Sequence, residues 1–144
     1  TSFRQRLHAR EFLVGTFLKT PTTHATEILG DLGFDFVVID EEHAPFDRAQ
    51  TDVLLLAARA ANVAGLVRVP SADAAAILSV LDCGAMGALV PHVNSVEKAQ
   101  MVAAAARYRG GRRGYSGSSR AGGYGGTPMW PLVAEQDGLE HLPR

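Results

Sequence analysis

Four short apolar runs, FLVGTFL (12–18), FDFVVID (34–40), GLVRVP (65–70) and GALVPHV (87–93), alternate with stretches of helical periodicity. Each run is rich in Val, Leu, Ile or Phe, is bounded by Gly, Pro or charge, and reads as a parallel strand. The resulting order, β-α-β-α-β-α-β-α, implies a parallel sheet with right-handed crossovers. Two architectures satisfy it, an open doubly wound sheet and a (β/α)8 barrel. A barrel needs eight strands, typically in about 250 residues, whereas these 144 residues hold four units.

Local signals fix the helices. TSFRQRLHAR, at the start, predicts a short amphipathic helix before the first strand. Thr22 or Thr23 is placed to cap a helix carrying Ala25, Ile28, Leu29 and Leu32, with Gly33 stopping it. Asp47 caps the next, whose stripe is Val53, Leu54, Leu56, Ala57, Ala60 and Ala61. A third helix covers about 72–82, with Ile77, Leu78 and Leu81 inward and Gly84 ending it. Ser95 caps a fourth, carrying Ala99, Val102, Ala103 and Ala106. Residues 110–126, GGRRGYSGSSRAGGYGG, hold eight glycines in seventeen positions and read as a loop. MWPLVAEQD, beyond it, reads as the start of another helix. The whole chain, 1–144, reads as one domain.

At 47% hydrophobic and 20% charged, the chain has the composition of a globular protein with a core. Its formal net charge of -1 supplies no field to draw nucleic acid or an anionic membrane. No window holds the roughly 18 uninterrupted apolar residues that a membrane helix requires. The single cysteine, Cys83, has no disulfide partner and sits among small apolar residues, consistent with a reducing, cytoplasmic compartment. Walker-type loops, dinucleotide fingerprints, GxSxG, CxxC and HExxH are absent from the sequence.

In a parallel α/β fold, chemistry gathers at the carboxyl ends of the strands. Lys19 and Thr20 follow the first, Asp40, Glu41, Glu42 and His43 the second, Arg68 lies in the third, and Pro91 and His92 in the fourth. Charges at the end of a buried strand are costly unless they are paired or bind something. His43 suits a general base, and the rigid donor fork of Arg68 suits a carboxylate or oxyanion. Together they point to a small anionic substrate. His24 and His92, lacking partners at metal-ligand spacing, read as solvated or satisfied histidines. Asp82 on its own reads as a helix-end or turn residue.

Through GTFLKTP, GFDFVVIDEEHAP, VRVP, LDCGAMGALVPHV, ARYRGGRRGYSGSSRA and GYGG, from Phe3 to Asp137, the sequence resembles the HpcH/HpaI aldolases. These are class II, metal-dependent pyruvate aldolases, 4-hydroxy-2-oxoheptanedioate aldolase among them. The resemblance implies a (β/α)8 TIM-barrel fold, of which this chain holds about the first four units, the amino-terminal half. It also implies metal-dependent cleavage of 4-hydroxy-2-oxo acids to pyruvate and an aldehyde. His43 is implied as the acid/base group, Asp82 as its orienting partner, and Arg68 as the contact to pyruvate that stabilises enolate charge. Asp40 and Glu42 are implied to support the substrate site. The cofactor implied is a divalent metal, Mg²⁺, Mn²⁺ or Co²⁺, acting as a Lewis acid. Its Glu and Asp ligands are expected beyond residue 144, with Glu140 of GLEHLPR not among them, so the chain is expected to be a truncated or partial form. The expected partners are a small 2-oxo acid and an aldehyde, with neither nucleic acid nor membrane, in a homo-oligomer, hexameric in relatives. Many relatives carry Gly in place of Glu41. The alternative reading is a half-barrel without catalysis, or a module that binds small anions.

Overall fold

The computed structural model describes residues 2–126. MWPLVAEQD and GLEHLPR lie outside the described residues. Within them, α1 (Phe3–His8) precedes β1 (Gly15–Leu18), α2 (Thr23–Asp31), β2 (Phe36–Asp40), α3 (Arg48–Ala60), β3 (Ala64–Arg68), α4 (Ala74–Asp82), β4 (Gly87–Leu89) and α5 (Val96–Ala106). The 107–126 segment is loop, with a single 3-10 turn at Gly123–Gly125.

The helices begin where short polar side chains satisfy otherwise unpaired N–H groups. Thr22 Oγ1 accepts from His24, Asp47 from Gln50, Asp73 from Ala76 and Ser95 from Lys98. α1 and α3 both close full capping boxes, through Ser2 with Gln5 and through Asp47 with Gln50. α2 and α4 stop at Gly33 and Gly84, with φ of 82° and 93°. These angles are ones that glycine adopts without strain.

The four strands pair in parallel in the order β1-β2-β3-β4. This sequential order separates the two architectures left open by the alternation. A doubly wound sheet reverses its strand order at a switch point, whereas here every right-handed crossover steps in one direction and stacks successive helices on one face. That is barrel geometry. Val37, Ile39, Val67 and Val69 point to the helices and pack with Leu54, Leu55, Ile77 and Val80. The alternate residues form the opposite face, where the register levels Phe17 with Val38 and Leu66, and Asp40 with Arg68 and Leu89.

Several helix faces differ from expectation. In α2 Ala25 and Leu29 pack against the core, but Ile28 and Leu32 are exposed and Thr26 is the buried residue. In α3 the buried residues are Thr51, Leu54, Leu55, Ala57 and Ala58, while Val53 and Leu56 are exposed. The helix is wedged between α2 and α4 as well as over the sheet, so its buried arc rotates toward Leu55 and Ala58, which pack over Gly65. In α4 Val80 joins Ile77 in the core, and Leu78 is only half-buried. Pro91 and His92 lie in a turn past β4, not in the strand. No described helix is long and apolar enough to cross a membrane.

Candidate active site

β2 ends on Asp40, whose Cα pairs directly with that of Arg68, the last residue of β3. Strand alternation aims both side chains to the face opposite the helices. Arg68 meets the carboxylate as a two-pronged fork: Nε donates to Oδ1 at 2.9 Å and Nη2 to Oδ2 at 2.8 Å. The backbone N–H groups of Glu42 and His43 also donate to Oδ1, each at 3.2 Å, folding the chain into a turn immediately past the strand. Lys19, from the end of β1, places Nζ 3.3 Å from Oδ2. Asp40 is fully buried, at 0% exposure. The Arg68 hydrogen bonds hold its carboxyl well below the usual carboxylate range, outweighing the opposing effect of burial.

Glu42 continues the network upward. Its Oε2 lies 3.3 Å from Arg68 Nε, and its Oε1 lies 3.2 Å from His92 Nε2 and 3.6 Å from His43 Nε2. The Arg68 guanidinium rests 4.7 Å from the ring centroid of Phe17, so an aromatic face from β1 backs the fork. The carboxyl ends of all four β/α units thus contribute to one polar cluster. His43, at 61% side-chain exposure, is open to an incoming molecule.

Asp40, Glu42, His43 and Arg68 come together as expected from the sequence; Asp82 does not. α4 leads from the carboxyl end of β3 back to the amino end of β4, so its last residue lies toward the opposite end of the sheet from His43. There Arg113 Nη2 donates to Asp82 Oδ1 at 3.1 Å. Within this chain Asp82 and His43 therefore form no pair. Glu41 also turns away: its Oε1 accepts a 2.6 Å hydrogen bond from Thr51 Oγ1, a hydroxyl buried in α3. His24 lies at the start of α2, where its backbone N–H serves the Thr22 cap.

Sequence reasoning missed the contact of His92 with Glu42 and the basic loop's grip on the helix layer. Arg120 donates to the Asp52 carboxylate at 3.0 Å and to the Cys83 carbonyl, and Arg113 stacks 4.3 Å over the Tyr108 ring. The available signal was the absence of any carboxylate between Lys98 and Ala134, against six Lys or Arg. Such charges must find partners elsewhere in the fold. A cavity of about 640 Å³ opens at the amino ends of the strands, lined by Arg6, Asp35, Gly65 and Met86, away from the cluster.

Residues 13–124 match the family described as HpcH/HpaI aldolase/citrate lyase. The chain is 36% identical over 136 residues to a pyruvate aldolase of Rhizobium etli, covering 94% of this chain and 54% of the relative. It is 38% identical over 127 residues to a 5-keto-4-deoxy-D-glucarate aldolase of Enterobacter sp. (strain 638), covering 88% and 50%. The crystal structure of an HpcH/HpaI aldolase from Desulfitobacterium hafniense superimposes with a TM-score of 0.83 at 30% identity, over 94% of this chain and 52% of the other. The chain thus spans about half the length of the curated relatives it matches.

Proposed function

The chain belongs to the HpcH/HpaI aldolase/citrate lyase family, and we propose that the protein it represents is a metal-dependent pyruvate aldolase acting on 4-hydroxy-2-oxo acids. The observation that carries this reading is the cluster built on Asp40 and Arg68, with Glu42 and His43 above it, at the carboxyl ends of a parallel sheet. A buried carboxylate holds the guanidinium rigid, and a rigid fork stabilises charge that develops on a substrate oxygen without reorganising. Relatives named for pyruvate and for 5-keto-4-deoxy-D-glucarate support a 2-oxo acid as the substrate class.

In cleavage, His43 takes the proton of the C4 hydroxyl, and the C3–C4 bond breaks as the C4 oxygen becomes the aldehyde carbonyl. The electron pair passes to the 2-oxo group as an enolate, whose charge faces Arg68. Protonation at C3 then gives pyruvate. Asp40 fixes Arg68, and Glu42 lies between Arg68 and the two imidazoles.

The family is generally dependent on a divalent metal, for which we propose Mg²⁺, Mn²⁺ or Co²⁺. Among the described residues no group of three or more His, Cys, Asp and Glu side chains is arranged to hold one. Both Asp40 oxygens are engaged by Arg68, and Glu42 is engaged by Arg68 and His92. These residues do not fit a metal cage on their own, so its ligands are assigned outside them. The work of this half is to bind, to orient and to move a proton. We place the protein in the cytoplasm, as a homo-oligomer working on small molecules and not on nucleic acid or membrane. The amino-terminal half of the barrel forms one domain in this reading.

The test is pyruvate release from a 4-hydroxy-2-oxo acid by the full-length protein, with Mg²⁺ or Mn²⁺. Chelator abolishes it, and His43→Ala lowers kcat by about a hundredfold or more. Turnover indifferent to both would reject the mechanism. The pairing of Asp82 with Arg113 and not with His43 favours one second reading, in which the 144-residue chain binds 2-oxo acids without turning them over. Calorimetry with pyruvate, showing heat without product, would select it.

A further inference from the structure

The aldol reading leaves His92 without a role, although its backbone is held in an uncommon conformation. The residue sits past β4 at φ 56°, in the left-handed region that residues with side chains seldom enter. Its carbonyl oxygen accepts a 2.7 Å hydrogen bond from Lys98 Nζ, in the first turn of α5. Its ring is 78% exposed, yet Nε2 lies 3.2 Å from Glu42 Oε1. β2 and β4 are not neighbours, since β3 lies between them. His92 therefore spans the carboxyl end of β3 to reach a residue of the β2 loop.

Glu42 is gripped at both oxygens, with Arg68 at Oε2 and the imidazoles of His92 and His43 at Oε1. With Asp82 engaged by Arg113, the carboxylate that faces the His43 imidazole among the described residues is Glu42, at 3.6 Å. Whatever fixes Glu42 fixes the relation between the proton-handling imidazole and the Arg68 fork. We propose that His92 is a positioning residue for the aldol reaction, acting through Glu42 to set His43 against Arg68. This inference rests on the aldol reading above. It assigns to His92 no contact with the substrate.

The φ of residue 92 supplies the discriminating variant. If His92 serves only its turn, glycine relieves the left-handed backbone and activity is untouched. If it positions Glu42, glycine removes the imidazole while preserving the turn. In the full-length protein His92→Gly is expected to melt no lower than wild type. Its kcat should fall about tenfold or more, with KM for the 2-oxo acid within about twofold, because the loss is of alignment and not of binding. His92→Gln, whose terminal amide reaches about as far as Nε2, restores most of kcat. The double variant His92→Gly with Glu42→Gln is no slower than Glu42→Gln alone, since both act through one carboxylate. Wild-type kcat in His92→Gly, or additive losses in the double variant, would overturn the proposal. If the wild-type protein releases no pyruvate, the aldol reading fails and the positioning role fails with it. Imidazole ¹⁵N shifts then still decide the contact: a His92 signal that moves on Glu42→Gln retains it, and one that does not removes it.

Discussion

Arg68 reaches both carboxylate oxygens of Asp40, its direct register partner across β2 and β3, at 2.9 and 2.8 Å. The pair closes the end of the sheet where an apolar strand would otherwise terminate in an unmatched charge. It also joins structure to chemistry, because the interaction that makes Asp40 tolerable in the interior is the one that immobilises Arg68. A residue buried at 0% exposure and one at 21% side-chain exposure divide the two tasks between them.

Removing the fork strands the buried carboxylate. Arg68→Ala leaves Asp40 with Lys19 and two backbone donors, and removing one partner of a pair whose carboxylate is buried lowers stability. Arg68→Lys recovers part of the loss, since a single ammonium cannot reproduce the fork. Urea unfolding of the two variants tests the order. A stability unchanged in Arg68→Ala would mean that Asp40 is served by its other donors.

The same pair sets an acid limb. The folded-state pKa of Asp40 is depressed, so its contribution is present above the unfolded carboxylate range, near 3.9. It is lost as pH falls from there through the folded value, because the unfolded chain then binds a proton that the native state does not. Asp40→Asn should be less stable at neutral pH, with a shallower fall in stability below about pH 4. Denaturant midpoints at pH 3, 4, 5 and 7 check the slope. Parallel curves for the two proteins would show that other carboxylates set the limb.

Much of this arrangement was legible in the sequence. FDFVVID carries its own strand signal, and Thr22, Asp47 and Ser95 mark helix starts through interactions with residues two or three positions on. The clustering of Asp40, Glu42, His43 and Arg68 follows from the parallel order, because carboxyl ends of successive strands must lie side by side. What was hidden depends on distance across the fold. Asp82 takes Arg113 from a glycine-rich loop 31 residues away, and His92 reaches 50 residues back to Glu42. The stripe of α3 was misjudged for a related reason. A helix covered on three sides buries an arc that its own periodicity does not define.

Glu41 sits beside the proposed site but is tied into the fold. It accepts from the buried Thr51 hydroxyl at 2.6 Å, tying the loop after β2 to α3. Glu41→Ala should cost about 1–2 kcal/mol, the scale of a hydrogen bond to a charged group whose partner is left buried. Thr51→Val in the same background adds little, since both halves of the bond are then gone. If Glu41 instead served the reaction, Glu41→Ala would lower kcat while leaving the thermal midpoint in place. Paired melting and turnover measurements separate the two.

Gly30, inside α2, opposes propensity with packing. Alanine at an exposed helical position is favoured over glycine by about 1 kcal/mol, which would make Gly30→Ala a stabilising change in isolation. A Cβ at position 30, however, would stand 2.7 Å from both the carbonyl oxygen and the Cβ of Ala61, at the end of α3. Neither atom belongs to a flexible side chain, so relief requires α2 and α3 to part, at a cost of about 1–3 kcal/mol. The collision outweighs the propensity gain. Gly30→Ala is therefore expected to lower the unfolding midpoint, with a companion Ala61→Gly removing one of the two contacts and recovering part of the loss. A midpoint raised by Gly30→Ala alone would show that the two helices separate freely, and that their close approach at Gly30 contributes nothing to the fold.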